Sequence, residues 1–333
     1  MTRSGSYLLI IAAGGYATRA LPLTGYGAKM KALVNAGVDG ATVLETILRE
    51  AERSGIEHVV TVVSSEEAAQ AVERFLDPLG QDPDFAEFLV KRGKTAEMEQ
   101  IRALPRFKCA ECVVQTEPRG FGDATALAAD VFFAEEFDGA CVALGDDVVH
   151  AASPAMAQLI SGRRSLGGTV AAVQRVSKEE ASRFGVVLVE GEPIEMPNDF
   201  TGRTAYRVLD MEEKPADPSP NMIDGEETYL AVAGRYAISA DDMRFLAGAE
   251  GAIHQELDFT ALLRRNAANG SLSAVELDGH WHSVGSPLDA QKAFLRYALI
   301  PESGQAGGSH AELRRYAQSL LNELDSDQQR LYD

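Results

Sequence analysis

Near its N-terminus the chain reads YLLIIAAGGYATRALP (Tyr7–Pro22), an apolar run that stops in two glycines and then meets an arginine. Backbone amides at Gly14 and Gly15 can approach an anion with no Cβ in the way, and the Arg19 guanidinium offers a fork of donors matched to phosphate. The loop has the makings of a phosphate cradle, although a tight turn accounts equally for a Gly-Gly on its own. It is not a Walker loop, which needs G-x-x-x-x-G-K-[ST], and Ala17 stands where the dinucleotide fingerprint needs glycine. Cys109 and Cys112 form a C-x-x-C around the strand-like CVVQ. With no second pair following, neither zinc nor redox chemistry is expected there.

Positioning such a loop is the work of the elements around it. Apolar, β-rich strings (YLLIIAA, HVVTVVS, AECVVQT, GACVALGDD, GGTVAAVQRV) are separated by helical ones. Between the first two, Val43, Leu44, Ile47, Leu48 and Ala51 recur at helical spacing, with Gly55 as a stop. Strand, helix, strand predicts an α/β fold: a Rossmann-like mixed, mostly parallel sheet flanked by helices, with ligands at the carboxyl ends of the strands, where AAGGYATR sits. From about residue 170 the pattern loosens into short strands with turns (FGVVLVEGEPIE, AYRVLDMEEKP, YLAVAGRYAIS), which predicts a smaller antiparallel part closing over the sheet. The expected organisation is one body over residues 1–300, with halves of about 1–170 and 171–300, then a linker and C-terminal helix over 301–333. Leu313, Tyr316, Leu320 and Leu324 give that helix a face to bury on the body or on a sister subunit of a homo-oligomer.

Lys plus Arg number 31 and Asp plus Glu 50, a formal charge of −19. Such a surface repels nucleic acid and anionic membrane, so neither is an expected partner, and any phosphate must meet a local basic or amide site. Three cysteines, no basic-then-apolar leader and no apolar run long enough to span a bilayer point to the cytoplasm.

The strings AAGGYATRALP, MKALV, QTEPRGFGDA, LGDD, EEKP and WHSVGSP occur in the order shown by sugar-phosphate nucleotidyltransferases, and over about residues 7–300 the chain resembles that family. Within it the chain looks most like the UTP–glucose-1-phosphate uridylyltransferases, because Phe85–Leu104 resembles their helical insertion and YLAVAGRYAIS their strand after E-K-P. The resemblance implies transfer of a nucleotidyl group, UMP from UTP first or dTMP from dTTP as the alternative, to a sugar 1-phosphate, with Mg²⁺ as cofactor. It implies that Ala13, Gly14, Gly15, Thr18 and Arg19 hold the nucleotide's phosphates, Ala17 departing from the family's G-x-G-T-R. A lysine on the departing pyrophosphate follows; Lys29 fits by distance from the arginine, and Lys31 fits better, since Leu33 and Val34 then fall into a short strand.

Gln115, Gly120 and Gly122 match the positions that read a pyrimidine base, a primary amide offering both a donor and an acceptor to a uracil imide. Asp146 matches the metal-binding aspartate, and Mg²⁺ needs only one or two carboxylates beside phosphate oxygens. Glu213 and Lys214 match the motif that grips a sugar hydroxyl and the sugar's phosphate, and Gly185 and Gly234 match backbone positions lining the sugar. One departure bears on activity. Relatives carry a second metal-ligand aspartate where this chain has Ser283. That leaves three readings open: one protein carboxylate on the metal, help from His282 or Asp278, or a homologue that binds without turnover. An NAD(P)-dependent oxidoreductase is disfavoured by Ala17 and by the lack of an acidic residue in the proper place after a second strand.

Overall fold

The computed structural model describes residues 6–15, 31–33, 41–77, 80, 82–117, 119–249, 259–301 and 308–332. Strand β1 (Tyr7–Ala12) shows why the fold is layered. Leu8 and Ile10 enter one apolar cluster, Leu9 and Ile11 another, and all four are fully buried. A strand covered on both faces reads as a continuous apolar run, which is what YLLIIA is.

On one face the cover is α1 (Val43–Arg53), whose Val43, Leu44, Ile47 and Leu48 point inward and whose first turn is capped by the Thr42 hydroxyl accepting from the Glu45 amide. The neighbouring helix on that face is α7 (Ala155–Leu166), and α5 (Phe121–Ala126) and α6 (Ala129–Ala134) cover the other. After α2 (Glu66–Leu76) come α3 (Pro83–Lys91) and α4 (Thr95–Arg102), the expected helical insertion, which leaves Phe88 and Val90 exposed.

Strands β2 (His58–Val63), β3 (Cys109–Val114) and β4 (Gly139–Leu144) join β1 in the order β3-β2-β1-β4, all parallel. Next to β4, and antiparallel to it, runs β10 (Glu226–Ile238). Beyond it lie β6 (Thr169–Val176), β11 (Leu272–Glu276), β8 (Thr204–Glu213) and β7 (Gly185–Val189), with β9 (Asn221–Ile223) hairpinned onto β10. The sheet is thus mixed: parallel through its first four strands, and in its second half antiparallel except where β6 and β11 run together. Because β10 pairs with β7 as well as β6, this second half closes on itself.

A separate antiparallel pair, β5 (Asp147–His150) and β12 (His280–Ser283), lies off the sheet. The short α8 (Lys178–Ala181) and α9 (Ala240–Ala249), α10 (Phe259–Ala268) and α11 (Pro287–Leu299) complete the body. The last helix, α12 (Gly308–Tyr332), packs beside α11 and leaves Tyr316, Leu320, Leu321 and Leu324 exposed. Among the described residues no helix is long and apolar enough to cross a membrane.

Candidate active site

The four parallel strands β1 to β4 end at one edge, and hydrogen bonds past their ends lace the loops together. Ala13 donates to Val62 O at 2.8 Å, Gln115 to Val63 O at 2.7 Å, and Gly145 to Ala12 O at 2.9 Å. The start of the glycine loop, Gln115 and the Gly145–Asp146 turn are thereby brought together. Gly145 is required by this approach: a Cβ there would sit 2.9 Å from Ala12 O and 3.0 Å from the Ala13 Cα. Gly14 faces Gln115, with its would-be Cβ 3.2 Å from Oε1. Thr18, Arg19 and Lys29 lie outside the described residues, as does the Lys31 side chain. The backbone at Lys31–Leu33 forms a 3-10 turn, so Leu33 does not enter the short strand expected of it, while Val34 lies outside the described residues. Ala32 is buried in the cluster that holds α1, so contact with that helix, and no strand ladder, fixes this segment.

Gln115 is more committed than its sequence position suggests. Its Nε2 donates to Gly120 O at 3.1 Å and to Asp123 Oδ2 at 2.7 Å. Both donors are therefore used inside the protein, and Oε1 is the atom turned to the glycine loop, which revises the expectation that the amide offers a donor and an acceptor to the base. Gly120, at φ +96°, begins α5, and Gly122 is buried in its first turn.

Asp146 follows β4, and its carbonyl accepts from the Val284 amide at 2.7 Å. Asp147 opens β5 directly opposite Ser283 of β12. The Asp147 carboxyl is buried, and burial together with the neighbouring Asp146 charge pushes it up to about 7, against the pull of Arg235 and the Ser283 hydroxyl. Its Oδ2 occupies the space a side chain at Gly234 would need: a Cβ there would be 2.1 Å away. Gly234 has φ +60° and lies where the β10–β6 register shifts between Val232 and Tyr236. The expected sugar-lining glycine therefore abuts the turn that carries the expected metal ligand.

Gly185 pairs with Glu213 across β7 and β8, and a Cβ at Gly185 would come within 3.0 Å of Glu213 Oε2. Lys214 binds Glu213 Oε1 at 2.8 Å, donates its amide to Phe184 O at 3.1 Å, and adopts φ +45°, a left-handed conformation unusual for a long side chain. Phe184 meets Trp281 edge to face at 4.6 Å between centroids. Both line a cavity of about 110 Å³ that also receives His282, Ser283, Arg183 and Lys292. So the E-K-P strand end, Ser283 and the aspartate turn border one region.

Of the two stand-ins for a second carboxylate, Asp278 is two-thirds exposed and turned to Arg203 at 3.9 Å. His282 Nε2 is buried without a hydrogen-bond partner among the described residues, and burial lowers this imidazole to about 4, so it is neutral. Among the described residues no group of three or more His, Cys, Asp or Glu side chains forms a metal cage. Cys109 and Cys112 are held as thiols, pushed up to about 11 by the Glu111 hydrogen bond and by burial respectively.

Sequence reasoning did not single out Arg235 or Glu50. Arg235 is fully buried beside Gly234, paired with Glu50 of α1 at 3.1 Å. The signal was present as the one charge inside YLAVAGRYAI and as an acid on the apolar face of α1.

A family model described as Nucleotidyl transferase matches residues 8–298. A UTP–glucose-1-phosphate uridylyltransferase 2 of Staphylococcus saprophyticus is 29% identical over 311 residues, 93% of this chain and 96% of the relative. The UTP–glucose-1-phosphate uridylyltransferase of Bacillus subtilis is 27% identical over 290 residues, 87% of this chain and 90% of its own. In fold, a UTP-bound UGPase from Acinetobacter baumannii superposes with a TM-score of 0.75 at 22% identity, covering 95% of this chain and 99% of the other. A UDP-glucose pyrophosphorylase complexed with UDP-glucose gives 0.66 at 22% identity, covering 88% and 98%.

Proposed function

This chain belongs to the nucleotidyl transferase family, and from that premise we propose that it transfers UMP from UTP to a sugar 1-phosphate, glucose 1-phosphate first, releasing pyrophosphate and forming a nucleotide sugar. The observation that carries the reading is the shared edge at which parallel strands of one sheet deliver a glycine turn (13–15), an amide (Gln115) and a carboxylate (Asp146). An oxygen of the sugar phosphate attacks the α-phosphorus in line, the bond from that phosphorus to the bridging oxygen breaks, and pyrophosphate leaves.

Both reactants are anions, so the chain's task is to neutralise and align them. Gly14 and Gly15 offer amides to the triphosphate, with Arg19 and Lys31, or Lys29, on its leaving end. Gln115 Oε1 accepts from the base imide. Across the site Lys214 holds the sugar phosphate and Glu213 a sugar hydroxyl, against the backbone of Gly185 and Gly234. The donor set fits Mg²⁺ held chiefly by phosphate, with Asp146 as its protein carboxylate, since such an ion keeps few protein ligands. When bound, the ion screens the charge that builds on the phosphate oxygens. A cytoplasmic location and a homo-oligomer joined through the exposed face of α12 complete the proposal.

Ser283 supports a second reading, a homologue that binds nucleotide without turnover. Pyrophosphate release from UTP, dTTP and ATP against a panel of sugar 1-phosphates separates the two. Release with UTP and one sugar 1-phosphate is expected; binding of UTP with no release for any pair would favour the second reading.

A further inference from the structure

We infer that Arg235, with its counter-ion Glu50, is a positioning residue that fixes the Asp146 turn against the Gly234 wall; the inference rests on the nucleotidyl-transfer reading and deepens it. The Arg235 guanidinium is 0% exposed. Its Nε and Nη2 meet Glu50 Oε2 at 3.2 and 3.1 Å. Nη1 donates to Leu144 O at 3.4 Å and Gly234 O at 3.2 Å, and Nη2 to Asp147 O at 2.9 Å. One side chain thus grips carbonyls on both sides of Asp146 and that of the glycine which Asp147 abuts. The place is where the ladder gives out. The β4–β10 pairing ends at Ala143 and Arg235, and β10 shifts register there, so the fork supplies donors where a strand no longer does.

Glu50 extends the grip. Its Oε1 accepts the Met156 amide of α7 at 3.0 Å, and it stands on α1, the first α-helix after the glycine loop among the described residues. The pair therefore joins α1, α7 and β10 to the Asp146 turn.

Stability alone gives little reason for such an arrangement. Desolvating two charges offsets most of their attraction, and replacing a buried pair with apolar residues is often neutral or stabilising. What an apolar pair does not reproduce is the set of bonds to Leu144, Gly234 and Asp147.

That difference is the test. Single truncations strand a buried charge, so the informative variant is Glu50→Leu combined with Arg235→Met, beside Arg235→Lys, which keeps the charge without the fork. Three measurements are made: melting temperature, acrylamide quenching of Trp281, and steady-state pyrophosphate release. Trp281 is the only tryptophan and sits on β12 opposite Val149, next to the Ser283–Asp147 pair, so its quenching reports the turn without substrate. The double variant is expected to fold but to melt below the parent, since the carbonyls of Leu144, Gly234 and Asp147 and the Met156 amide lose these partners, to quench more readily at temperatures where it stays folded, and to lose turnover on the order of 10²-fold with little change in KM for UTP. Parental quenching and turnover in the folded double variant would overturn the inference. If that variant does not fold, Arg235→Lys decides on the same terms. A parent that releases no pyrophosphate contradicts the transfer reading, while quenching still decides the role of Arg235.

Discussion

Replacing Gly234 by alanine tests the junction between the two sides of the site. The backbone there has φ +60°, and the new Cβ would land 2.1 Å from Asp147 Oδ2 and 3.0 Å from its Cγ. Two costs add. A non-glycine residue in the left-handed region loses roughly 1–2 kcal/mol, and forcing a methyl into a filled space costs roughly 1–3 kcal/mol. The carboxyl is the end of a side chain, but it is buried between β10 and β12, which leaves it little room to turn away. Urea unfolding at constant slope should show a loss of about 2–5 kcal/mol. The double-mutant cycle with Asp147→Ala divides this sum, because removing the carboxyl relieves the clash and leaves the backbone cost. Gly234→Ala should then cost only roughly 1–2 kcal/mol in the Asp147→Ala background. An equal loss in both backgrounds, or less than about 0.5 kcal/mol in the parent, would refute the contact.

Lys214→Ala should reduce turnover on the order of 10²-fold or more while UTP binding by calorimetry and the melting temperature stay near the parent, because the Lys214–Glu213 pair is half exposed and contributes little to stability. Ser283→Asp places a third carboxylate opposite Asp147 and beside Asp146, so its melting temperature should fall below the parent's in EDTA and recover with added Mg²⁺. For His282, a folded value near 4 lies below the unfolded value of 6.5, so the unfolded chain takes up a proton first and stability is lost as pH falls through that window. Partial exposure of the ring reduces the expected loss to roughly 1–2 kcal/mol, which urea titrations at pH 7 and pH 4.5 should resolve and His282→Asn should remove.

Much of this site could be read from the chain because its parts are local. YLLIIA and GACVAL are continuous apolar runs since both faces of those strands are covered, and the spacing from Val43 to Ala51 marks one buried helix face. Gly185 and Gly234 are legible only through the resemblance of the strings that hold them, and Gly145, beside Asp146 in LGDD, is not singled out by it. What stayed hidden depends on distant partners. Arg235 and Glu50 are 185 positions apart, and no local pattern links them. Likewise, that Gln115 spends its donors on Gly120 and Asp123 follows from how a loop folds back, not from its place at a strand end. KALV has strand composition, yet contact with α1 holds Lys31–Leu33 as a turn.

The position of β10 in the chain has a bearing on synthesis. Strands β1 to β4 are complete by residue 144, but the outer edge of β4 is closed only by residues 235–238. Until some ninety further residues have been added, a nascent sheet presents the bare amides and carbonyls of ACVA (140–143) to its surroundings, a template for pairing with another chain. Its second half waits on the same strand, since β6 and β7 both pair with β10. A fragment ending near residue 170 would carry that open edge permanently, so the two halves share one closing step and neither is a self-sufficient unit of translation.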